Sequence, residues 1–434
     1  MKPAEWRDII SGQRSRLKTL RQHWNNESPA GWLSKQSRDA LDGKLSRVSV
    51  NFPRLVVQSI SDRLTLRGFR ERGSSDLDNK FTQLMGTVNL SALQEHIHVD
   101  YLLYGAAYGT TWTADNGQPI FIADSPMTAA AIADPATGET IEGVRSWRGR
   151  DGAYWLAVMD SETVTRYISR QTDDFDSAVH WEQSGNVVEH GLGVVPMVPF
   201  IRQESSDDMQ GTSAVADILD LSDANAKALG DAMVTSEYFA KPRRWATGLE
   251  IQEDDDGNVV DPFGERRLLQ SEDPETKFGQ LPAATPTGQT ELIATLTQQI
   301  GALTGLPPHY LGLHGDQPAS AEGTRAAETQ LVARAYGEQS ALSGPWCRSI
   351  ERLAAISDGQ GYDHGGAAAV WQPAETITPS QAADAAQKLR TIGIPLEALL
   401  SNPLDYEPHE IREIMRAADD EVARAAINNL RGLV

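Results

Sequence analysis

Three sets of residues have the types and spacing from which chemistry could be built. His96, His98 and Asp100 spell H-x-H-x-D, a pattern that supplies metal ligands in some hydrolases. Their neighbours Leu93, Ile97, Leu102 and Leu103 indicate a helix, on which residues two apart point about 200° away from each other and cannot readily share an ion. The histidines therefore read as structural. Asp254, Asp255, Asp256, Gly257 and Asn258 look like the opening of a calcium loop, but the bidentate glutamate expected near its end is missing, and Phe263 and Gly264 stand in that region. A hairpin turn at D-G, between Ile251 and Val259, explains the same residues. Cys347, the only cysteine, lies beside Trp346 in a helical pattern and reads as a small buried hydrophobe. No G-x-S-x-G, phosphate-binding Gly-Lys loop, G-x-G-x-x-G or spaced Cys/His cluster occurs. No catalytic residue, metal or cofactor follows from these sets, although carboxylate pairs distant in sequence leave no such pattern.

The elements that would position such residues are legible from periodicity. Trp6, Ile9, Ile10, Leu17, Leu20 and Trp24 fall at helical spacing. A second helix is expected after Pro53, ending near Gly68, and a third from Ser91. Between Tyr108 and Ile201 short β-branched and aromatic runs alternate with turn signals at 115–117, 134–138, 149–152 and 183–186, which predicts an antiparallel sheet or several hairpins. Helix resumes over Ser213–Tyr238. One stripe there is apolar (Val215, Ile218, Leu219, Ala226, Leu229, Met233), and another carries Asp217, Asp220, Lys227 and Asp231. Residues 241–287 are Gly/Pro-rich and acidic. A helix over Thr290–Thr304 places Leu292, Leu296, Ile300 and Leu303 on one face, with Thr and Gln elsewhere. That polar face carries little charge for solvent, so it is expected to meet other subunits or a sheltered channel; contact within a single-chain core is the alternative. Ser320 caps a long helix through Ala327, Leu331, Ala335, Leu342, Trp346, Ile350 and Leu353, which Gly344 and Pro345 should kink. A short strand near Val370 and Trp371 precedes helices from Pro379 onward.

The chain has 434 residues, 40% apolar and 23% charged, enough for more than one core. Its net charge of −21 argues against a protein that grips nucleic acid by neutralising phosphates. The charge is uneven: residues 1–72 hold 15 Lys/Arg against 7 Asp/Glu, a net +8, leaving −29 for the rest. One end could thus meet an acidic partner, or a basic helix could simply be solvated. No apolar run approaches the roughly 18 residues of a membrane span, and the start MKPAEWRDII lacks a signal peptide's apolar core, so a cytosolic compartment and no membrane partner are expected.

Several segments together resemble the portal proteins of tailed bacteriophages, of the group found in siphophages of Gram-positive bacteria. They are NFPRLVVQSISDRLTLRGF (51–69), DYLLYGAAYGTTW (100–112), GLGVVPMVPF (191–200), GTSAVADILDLSDANAKALGDAM (211–233) and TGLPPHYLGLHGDQPASAEGTRAAETQLVARA (304–335). The likeness spans about residues 50 to 400 and lies in the ordered set rather than in any one piece.

The resemblance implies an α+β portal-type fold: a mixed wing, a helical stem, a small α/β clip and a helical C-terminal crown, assembled as a ring of about twelve subunits. Mapped here, 1–80 forms N-terminal helices, 81–210 the wing with its antiparallel sheet, and 211–240 the first stem helix. The clip is 241–287, the second stem helix 288–304, and 371–434 the crown. Residues 305–370 hold a tunnel-loop candidate and the long wing helix kinked at Gly344 and Pro345; 305–319 and 357–369 both qualify as the tunnel loop. The implied function is a channel at one capsid vertex for DNA packaging and ejection. Its implied partners are the terminase large subunit, a head-tail adaptor, the major capsid and scaffolding proteins, and double-stranded DNA passing without sequence specificity. It would reside in the virion, and in the host cytoplasm during assembly. Asp217, Asp220, Lys227 and Asp231 become candidates for the channel lining, since an acidic stripe repeated around a ring would repel a duplex towards its axis; an exposed or inter-subunit face, with Asp223 and Asp231 pairing Lys227, explains them equally. Ile251, Asp254, Asp255, Asp256 and Val259 become candidates for docking the motor and adaptor. The competing readings are another oligomeric virion scaffold or adaptor, and a cytosolic metal-dependent hydrolase.

Overall fold

The computed structural model describes residues 1–40, 46–74, 77–114, 116–134, 136–170, 174–240, 244–248, 274–280, 287–313, 321–359, 365–375, 379–401, 403–404, 406, 410–418 and 420. The docking candidates Ile251, Asp254, Asp255, Asp256 and Val259, and the cap Ser320, lie outside the described residues.

In chain order the elements begin with helices α1 (Pro3–Trp24), α2 (Lys35–Ala40) and α3 (Phe52–Ser61), then strand β1 (Leu66–Glu71), α4 (Asn79–Thr87) and α5 (Leu90–Tyr104). Strands β2 (Ala106–Thr113), β3 (Pro119–Asp124), β4 (Ala129–Ala133), β5 (Thr140–Arg148), β6 (Tyr154–Met159), β7 (Thr163–Ser169), β8 (Glu182–Gln183), β9 (Val188–Glu189) and β10 (Met197–Ile201) follow. After them come α6 (Leu219–Ala240), β11 (Arg244–Thr247), β12 (Lys277–Gln280), α7 (Thr287–Thr304), α8 (Ala321–Asp358), β13 (Ala367–Trp371), α9 (Pro379–Thr391) and α10 (Leu396–Ser401). Two units result: Met1–Leu17, Val57–Ala214 and Thr329–Val434 form the first, Lys18–Val56 and Val215–Glu328 the second.

The first unit is built on the expected antiparallel strands. Strands β4-β5-β6-β7-β8 form one sheet, with β9 also on β7, and β10-β2-β3 form another. Both faces of the larger sheet are covered. Trp6 and Ile10 of α1 pack on Ala130, Val144, Leu156 and Phe175. Tyr108, Val195 and Met197 pack on Ala129, Ala157, Met159 and Val164. Alternate residues of each strand thus serve two cores, as the period of two requires. The signal at 183–186 is a turn without a hairpin: β8 and β9 flank it, yet both pair with β7 rather than with each other.

The second helix stops at Ser61, short of Gly68, because residues 66–71 are recruited into strand β1, which pairs antiparallel with β13. Gly68 sits in that strand, where a Cβ would lie 2.9 Å from Leu77. Helix α8 is the spine of this unit. Its Trp346 is fully buried, with ring centroids 4.9 Å from Phe200 and 5.6 Å from Phe121. Gln339 donates to the carbonyls of Arg63 and Gln372, and Arg352 to that of Met197. The helix continues unbroken across Gly344 and Pro345. Ala327, expected in its apolar stripe, is exposed; the buried stripe begins at Leu331. Cys347 is half-buried, and burial pushes its thiol above the usual range, consistent with a packing role.

Candidate channel-lining helices

In the second unit α6 and α7 pack antiparallel, as two side-chain bonds show. Asn225 donates to Thr297 Oγ1 at 3.2 Å, and Gln289 to Thr235 Oγ1 at 3.0 Å. Asn225 and Thr297 meet in the seam; Ser222, Ala226 and Ala228 on α6, and Ile300 and Thr304 on α7, are buried as well. Each buried threonine returns its hydroxyl to the carbonyl four residues back, Thr297 to Ile293 at 2.8 Å and Thr304 to Ile300 at 2.7 Å. Its methyl group then packs as a small hydrophobe, at no cost in unsatisfied polarity.

This seam corrects the face expected for α7. Ile300 is buried, but Leu292 and Leu303 are 51% and 47% exposed and Leu296 is only half-buried. On α6 and the turn before it Val215, Ile218 and Ala226 are buried as expected, whereas Met233 is 40% exposed. The helices approach closely through small side chains, which rotates the larger ones outward.

The acidic stripe is where periodicity placed it. Asp217, Asp220, Lys227 and Asp231 are all exposed on one side of α6 and the short turn before it. Lys227 forms an ion pair with Asp231 one turn on. That pair is solvated and arranged lysine-first, the weaker order on a helix. Asp223 does not share the lysine. It is half-buried and accepts hydrogen bonds from His23 at 3.1 Å and from the Ser28 hydroxyl. Asp223 thus anchors the 18–56 segment to α6, and the exposed stripe keeps an excess of two negative charges per chain.

Beyond α6, β11 and β12 form an antiparallel ribbon in which Trp245 faces Gly279, a position where a Cβ would come within 2.4 Å of the indole. After α7, residues 305–313 fold back on that helix: Leu306 is buried, and Leu311 packs where Gly301 leaves room. Of the other tunnel-loop candidate, Ala367 onward is strand β13.

The H-x-H-x-D residues diverge as expected. His98 is buried, accepting from Trp346 Nε1 at 3.0 Å, while His96 is exposed. Burial pulls the His98 pKa down to about 3, so it is neutral and acts as a core acceptor. Among the described residues no group of three or more His, Cys, Asp or Glu could hold a metal ion, and no helix is long and apolar enough to cross a membrane.

The described residues thus form a mixed α+β fold with a long spine helix, a two-faced antiparallel sheet and a helix pair. Residues 7–423 match the family described as phage portal protein, SPP1 Gp6-like, and the chain belongs to that family. It is 29% identical over 406 residues to the portal protein of Mycobacterium phage L5, and 29% over 409 residues to that of Mycobacterium phage D29, covering 89% of this chain and 81% of the relative in each case. A chain in the neck of an empty gene transfer agent particle has the same fold at 13% identity, with a TM-score of 0.52 over 90% of this chain and 93% of that one. The protein is therefore a structural, non-enzymatic component of the capsid. It assembles as an oligomeric ring that serves as the channel for DNA packaging and as a docking site for other virion proteins.

Proposed function

We propose that about twelve copies form the ring, with α6 and α7 as the stem, 241–287 as the clip, the two-faced sheet and α8 as the wing, and 371–434 as the crown. In this reading the clip docks the terminase large subunit during filling and a head-tail adaptor afterwards. The wing and crown meet the major capsid and scaffolding proteins. Assembly takes place in the host cytoplasm. Residues 305–319 and 357–369 remain the two candidates for the tunnel loop.

The observation that carries the channel assignment is the exposed stripe of Asp217, Asp220 and Asp231 on α6, which has a packed seam on one side and no cation besides Lys227 within the stripe itself. A conduit must not hold phosphates, because every neutralised phosphate releases counterions, adds affinity and opposes sliding. Acidic side chains repeated around a ring keep the duplex near the axis without reading its sequence. Reversing Asp217, Asp220 and Asp231 to lysine should leave the fold and ring intact, since all three are exposed, while slowing packaging and ejection in a manner relieved by added salt. Unchanged DNA transit in that triple variant would refute the lining.

A further inference from the structure

Within the first unit a polar network joins segments that lead to three of the departures, the places where the chain leaves that unit or re-enters it. Those departures are at Leu17–Lys18, Ala214–Val215 and Glu328–Thr329. Arg202, just after β10, donates from Nε to Glu338 Oε1 on α8 at 2.9 Å, and from Nη1 to the Thr212 carbonyl at 3.0 Å. Tyr101 of α5 donates to the other Glu338 oxygen at 2.7 Å. Arg16 of α1 reaches the Gly211 carbonyl at 3.4 Å.

The backbone closes the same knot. The Arg202 amide donates to the Gly105 carbonyl at 2.8 Å, Thr212 to Arg202 at 2.9 Å and Ala214 to Leu102 at 2.8 Å. Asp208 accepts from the Gly211 amide at 2.9 Å and the Thr212 hydroxyl at 2.8 Å. Gly105 and Gly211, with φ of +83° and +82°, touch backbone to backbone. A Cβ on Gly211 would lie 2.0 Å from the Gly105 carbonyl oxygen. No side chain fits there, and the positive φ favours glycine on its own account.

The Arg202 and Glu338 side chains are only 17% and 13% exposed. Buried charges of this kind are held in place by their full set of partners, because losing one strands the other. Here the partners come from α5, α8 and the 204–212 segment that leads towards α6, and Arg16 of α1 joins them through the Gly211 carbonyl. Glu338 is ten residues from the Glu328–Thr329 departure along an unbroken helix, about 15 Å at 1.5 Å per residue.

We propose that Arg202 and Glu338 are positioning residues that lock these three departures into one cooperative block, so that α1, the segment leading into α6, and α8 cannot shift separately. The inference goes beyond the channel assignment and does not depend on which face of α6 meets DNA.

The discriminating variant is Asp208→Ala, whose carboxylate bonds only within the 204–212 segment. Amide hydrogen exchange would be followed in the full-length assembled protein for Asp208→Ala and Glu338→Gln. A single block predicts that each variant speeds exchange at Thr212 and Ala214, and also along residues 334–342 of α8, by a common factor of about ten, with the β5–β6 ladder unchanged. Acceleration by Asp208→Ala confined to 208–214 would overturn the proposal. So would equal acceleration of the β5–β6 ladder, which would mean general destabilisation. Should Glu338→Gln fail to assemble, Arg202→Lys replaces it in the same comparison.

Discussion

His98 shows how a residue type that suggests chemistry can be held for packing. Its Nε2 accepts from Trp346 Nε1, and burial keeps its pKa at about 3 against an ordinary 6.5. Between those values the unfolded chain binds a proton that the folded chain refuses. Stability from this site is therefore complete above about pH 6.5 and falls progressively as the pH drops towards 3. Thermal unfolding measured from pH 7 to 4 should show this loss, and His98→Gln, which can still accept and donate, should flatten it. An identical pH dependence in the variant would rule His98 out as its source. His98→Phe should cost about 1–3 kcal/mol at neutral pH through the stranded Trp346 donor. The direction of the two histidines was legible in the sequence, since only helical spacing was needed to separate His96 from His98. The partner of His98 was not, because Trp346 lies far away in the chain. The same holds for Arg202 and Glu338, whose pairing no local pattern announces. Asp223 was misjudged for a related reason: Lys227, four residues away, is the obvious local partner, but His23 and Ser28 arrive through tertiary packing.

At the scale of elements, the strands and helices of the sheet unit follow turn residues and periodicity closely, and the departures lie where packing overrides hydropathy. Helix α7 has a leucine-bearing face and a threonine-bearing one, and hydropathy alone assigns the leucines to the core. Against α6, whose Asn225 meets Thr297, close approach favours threonine methyls with their hydroxyls returned to the backbone. Leu292, Leu296 and Leu303 are then left at spacings of four and seven on the outer side, one continuous stripe. In a ring every subunit contact joins two different surfaces, and if α7 belongs to the proposed stem, this stripe would be the apolar half of such a contact. Burying a leucine fully is worth about 1.5–3 kcal/mol. Leu292→Gln combined with Leu303→Gln should thus leave the secondary structure and thermal unfolding of the subunit nearly unchanged, and shift the ring towards smaller species on dilution. Mass measurements over a concentration series decide the matter: rings as persistent as the parent's would place the subunit contact elsewhere. The strand β1 was missed for a similar reason, since its partner β13 lies some 300 residues further on and only pairing makes residues 66–71 extended.

For the whole molecule, the family assignment explains why so acidic a chain handles DNA, and it turns the region between α6 and α7 into the place to test docking. The ribbon of β11 and β12 bounds that region, pairing Arg244 with Gln280 and Thr247 with Lys277. Because Thr247 and Lys277 are direct cross-strand partners, the chain between them can be replaced by a two-residue Asn-Gly turn that suits a hairpin, leaving the ribbon and the helix seam in place. Deleting 248–276 in this way removes Ile251, Asp254, Asp255, Asp256 and Val259 together. If this region docks the packaging motor, the deleted protein should still form rings of the parent's mass and enter capsids, but it should no longer retain the terminase large subunit in co-sedimentation, and the heads should stay empty. Rings that still hold the motor would move the docking surface to another part of the chain. Loss of rings would instead show that the region takes part in the subunit contact, and the docking assignment would fall with it.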